Sequence, residues 1–143
     1  AGDMYLDHKT GKAIPSPDPN AGLYVVDRND VRQHIALPSD CLAVQIGECT
    51  QIITGGAVVA TPHCVRGAPN VARISLPCFI DTPPTFPLNV PDGSSRDDVV
   101  AAGLQSRRVP PLEQRWTGDG MTFGDFLQKT FSLYYDWKPT ETS

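Results

Sequence analysis

The 143 residues are enough for one modest domain with a core of its own. A net charge of −4 gives no basic field to draw the chain to nucleic acid or an anionic membrane, and no apolar run approaches the length that spans a bilayer. The polar opening AGDMYLDHKTGK has no apolar stretch of the signal-peptide kind, which points to the cytosol.

In chain order, Met4-Tyr5-Leu6 reads as a short strand followed by the turn Asp7–Gly11. A strand that starts so early suggests a chain cut inside a fold. Ala21–Val26 is β-rich, Asp27–Asp30 makes a turn, and Val31–Leu37 alternates loosely up to Pro38 and the Ser39-Asp40 turn. In Cys41–Glu48 the alternation is clean, with Leu42, Val44 and Ile46 on one face of an expected strand. Gln51–Thr54 is a further short run, and Gly55-Gly56 is a hairpin signal before Ala57.

Residues 57–81 read as two apolar strands joined by a Gly/Pro/Asn turn, and they carry the candidate chemistry. His63 lies near the end of the first strand. Arg73 and Ser75, two apart, share one face of the second, opposite Ile74, Leu76, Cys78 and Ile80. A forked guanidinium with a hydroxyl, close to an imidazole, would suit an acidic ligand beside a metal. Taken alone, His63 is more often structural than a ligand, and Arg73 could serve a surface ion pair.

Beyond Asp81 the pattern turns helical. Ser95-Arg-Asp-Asp98 before Val99–Ala102 predicts a capped short helix ending at Gly103. Arg107–Trp116 reads as irregular, ending in a buried aromatic. Thr122 and Asp125 form the N-terminal box of a longer helix whose stripe Phe123, Phe126, Leu127, Phe131 and Tyr134 packs on the outside of the sheet. Fourteen prolines, concentrated at 14–20 and 81–92, mark connectors and extended edges. The cysteines at 41, 49, 64 and 78 have 7, 14 and 13 residues between them, which fits no zinc spacing; they read as buried, reduced thiols.

With these residues in place, the chain resembles the isopenicillin N synthase-like branch of the iron(II)/2-oxoglutarate-dependent oxygenases. The stretches AGLYVV, LPSDCLAVQIGE, ITGGAVVATPHCVR and RISLPCFID carry the resemblance, with VPPLEQRW and GMTFGDFLQKTFSLYYDW similar to the tail of one subgroup. It implies a mostly β fold, a double-stranded β-helix (jelly roll). Residues 1–91 would be the C-terminal part of its core, and 92–143 a helical extension packing on the sheet. It also implies Fe(II) and 2-oxoglutarate as cofactors. His63 matches the distal metal ligand, and Arg73 and Ser75 match the pair that anchors the co-substrate's far carboxylate.

The departure from the pattern is as informative. The family's other two iron ligands form a His-x-Asp pair, and no His-x-Asp or His-x-Glu occurs here: His8 precedes Lys9-Thr10 and His34 precedes Ile35-Ala36. In the family that pair stands shortly before a segment resembling GDMYLDHKTGK. The expectation is therefore the C-terminal half of an oxygenase acting on a small organic substrate, with the missing N-terminal half as its partner, and inactive alone. A non-catalytic jelly-roll module is the alternative. A third reading keeps the iron and uses Arg-x-Ser for a substrate carboxylate. Glu48 as a replacement ligand is a minor possibility.

Overall fold

The computed structural model describes residues 4–38, 40–104 and 109–136; Ser39, Arg107 and Arg108 of the segments discussed above lie outside the described residues. The chain forms two compact units. One takes Ala1–Val44 and His63–Phe79, the other Gln45–Pro62 and Ile80–Ser143.

The first unit holds two three-stranded antiparallel sheets. Strands β1 (Met4–Asp7) and β2 (Ala13–Ile14) form a hairpin. At its tip the Asp7 carboxylate accepts from the amides of Lys9 and Thr10 and from the Thr10 hydroxyl, while Gly11 takes φ +67°. Strands β3 (Gly22–Val26) and β4 (Arg32–Ile35) form a second hairpin. There Asp27 accepts from Asn29, Val31 and Gln33. Both turns thus rest on a carboxylate that replaces the lost ladder bonds, the usual role of aspartate in such positions. The last two strands, β5 (His63–Arg66) and β6 (Val71–Ile74), are neighbours in sequence but not in space. β5 adds to β3, giving the order β4-β3-β5, and β6 adds to β1, giving β2-β1-β6.

The second unit is helical. Helix α1 (Glu48–Ile53) and helix α2 (Arg96–Ala102) are followed by the single turn α3 (Leu112–Arg115) and the long α4 (Phe123–Asp136). α2 has the expected Ser95/Asp98 capping box and stops at Gly103. α4 starts at the Thr122/Asp125 box, with Asp125 N–H donating to Thr122 Oγ1 at 3.2 Å. Ile52, Leu88, Val99, Leu112, Trp116, Phe123 and Phe126 make the core. The Pro-rich stretch supplies an extended strip through this core, since its missing amides leave only selected groups to pair. Leu88 N–H donates to Met121 O, Phe123 N–H to Phe86 O, and the Trp116 indole to Leu88 O at 3.1 Å.

Several expectations need correction. Residues 41–47 form no strand, and Gln51–Thr54 is the end of a helix and its cap. The β-favouring local sequence is overruled by burial: Ile52 is fully buried, and Gln51 both donates to Val99 O and accepts from Ala60 N–H. Gly55-Gly56 does not turn a hairpin but ends α1, with Gly55 N–H donating to Ile52 O and Gly56 N–H to Gln51 O, both at 2.9 Å. The stripe on α4 is core only at Phe123 and Phe126; Leu127, Phe131 and Tyr134 are exposed, although the Tyr134 ring meets Arg115. The buried end meets helical and loop side chains of its own unit. The four thiols are free as expected, but Cys41, Cys64 and Cys78 are exposed and only Cys49 is half-buried. The runs carrying the three are themselves uncovered. Small antiparallel sheets with C-terminal helices are what the structure has; no closed barrel forms among the described residues.

Gly56 gives a direct check on the helix end. At φ +84° an added Cβ would come within 2.8 Å of Ala102 Cβ, whereas at Gly67 it would meet nothing. Gly56→Ala is expected to lower stability in urea by about 1–2 kcal/mol or more, and Gly67→Ala to stay within about 0.5 kcal/mol of the parent.

Candidate functional site

The three residues singled out by sequence all fall in the first unit. His63 opens β5 opposite Val25, on the sheet face that also carries Leu23, Val65 and Ile35, and its side chain is exposed. Arg73 lies in β6 opposite Tyr5 and is half-buried. The burial of β6 alternates, with Val71 and Arg73 partly covered and Ala72 and Ile74 open, so the guanidinium-bearing face is the inner one. Tyr5, only 5% exposed, and Ile14 share that face. Ser75 stands just past the end of β6 and is exposed. His63 and Arg73 therefore sit on strands of different sheets, not on laterally paired neighbours.

The other two histidines have structural partners. His8 donates from Nδ1 to Asn70 O at 2.9 Å, which ties the first hairpin to the β5–β6 turn. His34 donates from Nε2 to Ala21 O at 3.2 Å and stacks on Tyr24 with 4.6 Å between ring centroids. Among the described residues no three His, Cys, Asp or Glu side chains come together in a metal-binding group. These residues do not make up a ferrous centre, because one imidazole supplies a single donor where three are needed.

A second constellation, in the helical unit, was not visible to sequence reasoning. Arg115 is fully buried, and its two terminal nitrogens meet the two carboxylate oxygens of Glu48 at the start of α1. Its Nε and Nη2 also donate to Pro110 O, at 3.1 and 2.8 Å. The rings of Phe126 and Tyr134 each lie 5.7 Å from the guanidinium carbon. The only available signal was a charged residue directly before a tryptophan expected to be buried. Glu48 is thereby corrected from a conceivable metal ligand to half of an ion pair.

The pair colours its surroundings. Burial, then the carboxylates of Glu48 and Asp81, push the Cys49 thiol up to about 11. Burial and Glu48 raise the Tyr134 phenol against the opposing pull of Arg115. Glu48, Thr130, Phe131, Tyr134 and Tyr135 line an open cavity of about 420 Å³ beside it.

Comparison of the chain with protein-family models, curated proteins and solved structures gives no match.

Two measurements check the ion pair and its neighbour. Arg115→Met is expected to cost about 3–5 kcal/mol in urea unfolding because it leaves the partly buried Glu48 carboxylate and Pro110 O without their donors, and adding Glu48→Gln should recover part of that loss. Cys49 is expected to resist alkylation near pH about 8 while Cys41 and Cys64 react. Since the fold favours the protonated thiol, Cys49 draws stability away as pH rises from the ordinary value of 9.0 towards about 11. A flat denaturation midpoint across that window in the wild type, sloping no differently from Cys49→Ala, would contradict this.

Proposed function

We propose that this chain is the C-terminal part of a non-haem iron(II)/2-oxoglutarate-dependent oxygenase of the isopenicillin N synthase-like kind, acting on a small organic substrate. The resemblance of the sequence supports the assignment, and the observation that carries it structurally is the parting of β5 and β6. Two strands separated by four turn residues, 67–70, enter different sheets, each pairing antiparallel with a much earlier strand. That is the connection a jelly roll is wound from.

In this reading His63 is one metal ligand, and the remaining ligands belong to a His-x-Asp segment outside the sequence described here. Arg73 supplies a fork of fixed donors for the far carboxylate of 2-oxoglutarate, and its partly covered setting strengthens that attraction by excluding water. Ser75 adds a hydroxyl at the open end of the same strand. The non-catalytic jelly-roll module is favoured by one observation, the exposure of the His63 side chain.

The chain alone is expected to show no tight stoichiometric Fe(II) uptake in an anaerobic titration. In a polypeptide that also contains the His-x-Asp segment, His63→Ala should abolish 2-oxoglutarate consumption. Arg73→Met should raise the KM for 2-oxoglutarate by about tenfold or more with a smaller change in kcat. Undiminished turnover in His63→Ala would refute the assignment.

A further inference from the structure

The open cavity beside the Arg115–Glu48 pair lies wholly within the helical unit, and its volume of about 420 Å³ falls in the range of about 300–1,000 Å³ typical of small-molecule sites. Two elements wall it. Thr130, Phe131, Tyr134 and Tyr135 come from α4, and Glu48 comes from the start of α1. Phe131, Tyr134 and Tyr135 stand at i, i+3 and i+4, so their rings share one face of the helix. Rings gathered beside a carboxylate suit a cation, because a ring face is electron-rich and the carboxylate adds a full negative charge.

We propose that this cavity binds a small quaternary ammonium compound, with its N-methyl groups against the rings of α4 and its charge in the field of Glu48. The proposal is independent of the oxygenase reading, whose site residues His63, Arg73 and Ser75 all belong to the sheet unit.

The sign of the charge follows from how the ion pair is placed. Arg115 is fully buried, and its terminal nitrogens are engaged by the two Glu48 oxygens and by Pro110 O. Glu48 keeps 27% of its side chain exposed and lines the cavity, so a ligand there meets the carboxylate before the guanidinium. The phenol of Tyr134, on the same wall, reflects that balance. Burial is the main cause of its raised pKa, and Glu48 then raises it by more than Arg115 lowers it. Asp81 adds negative charge at Cys49, the residue after Glu48. An anion would be repelled from such a site.

The kind of cation follows from the scarcity of acceptors. A primary ammonium has three donors to satisfy and is strongly hydrated, yet both Glu48 oxygens already accept from Arg115. A methylated nitrogen has no donors, gives up little water, and gains from contact with ring faces. Tyr134 already offers its ring to Arg115 at 5.7 Å, whereas among the described residues no cation lies over Phe131 or Tyr135. Those two rings are the ones a ligand would use most.

Titration of the intact chain with choline chloride, followed by amide NMR, tests this. Two controls run beside it: the uncharged alcohol in which carbon replaces the ammonium nitrogen, and methylammonium chloride at equal ionic strength. Choline is expected to give saturable shifts around Glu48, Phe131, Tyr134 and Tyr135, with an affinity at least about tenfold above either control. Tyr135 is 87% exposed, so its replacement leaves the fold intact. Tyr135→Leu should weaken choline binding by about fivefold or more, and Tyr135→Phe, which keeps a ring, should preserve it. Equal binding of the uncharged alcohol would overturn the proposal by showing a merely apolar groove, and equal binding of methylammonium would overturn it by showing a merely acidic one. Shifts that never saturate, or Tyr135→Leu binding as the wild type does, would also refute it. So would co-sedimentation with phosphatidylcholine vesicles, since the occupant would then be a lipid surface rather than a free small molecule.

Discussion

A guanidinium that has lost all contact with water must find an acceptor for each of its donors, and in this chain that demand falls on Arg115. Glu48 answers it from α1, Pro110 answers it from the preceding loop, and Phe126 and Tyr134 of α4 offer their ring faces. Three stretches of sequence are therefore held to one cation. The arrangement also explains why a six-residue helix with a bare glycine N-cap and β-favouring residues exists at all. α1 is a helix because its first residue is claimed by Arg115 and its buried face by Gln51 and Ile52, not because its sequence prefers that state. The desolvation of such a pair is costly, so its value lies in fixing one arrangement rather than in raw stability.

The sheet unit is built on the opposite principle. Its turns are held locally, by Asp7 and Asp27 gathering nearby amides, and both carboxyls are held below the ordinary range by those bonds, led by Thr10 at the first and Gln33 at the second. Its buried side chains are few, Tyr5, Ala21 and Val26. Much of its apolar surface remains open, including Val65, Ile74, Leu76 and Phe79. Hairpins with good turns and thin cover are well defined in register yet poor in packing, which leaves their edges and faces available to other polypeptide segments.

Where local chemistry decided the outcome, the sequence was readable. The Ser95/Asp98 and Thr122/Asp125 boxes, the two aspartate turns, the burial of Trp116 and the extended path of the Pro-rich strip all follow from residues within a few positions of one another. Where tertiary contacts decided, it was not. Cys41–Glu48 alternates as a strand and Gly55-Gly56 signals a hairpin, but both signals are local, and α1 is set by an arginine far along the chain. That His63 and Arg73 stand on strands was legible, but His63 opens β5 where the apolar run 57–62 had placed it near a strand's end. Their assignment to different sheets was not legible, because strand pairing between distant segments leaves no trace in a window of neighbouring residues. The same limit hid the Arg115–Glu48 pair.

The pairing of Asp7 with Val71 at one end of β1 and of Met4 with Ile74 at the other has a consequence for the order of events as the polypeptide is made. The first hairpin can emerge and close early, but its second neighbour lies on residues that leave the ribosome only after the whole β3–β4 hairpin and the α1 stretch have been synthesised. Throughout that interval one flank of β1 is bare. Until the closing strand arrives, that flank is open to mispairing with other strands.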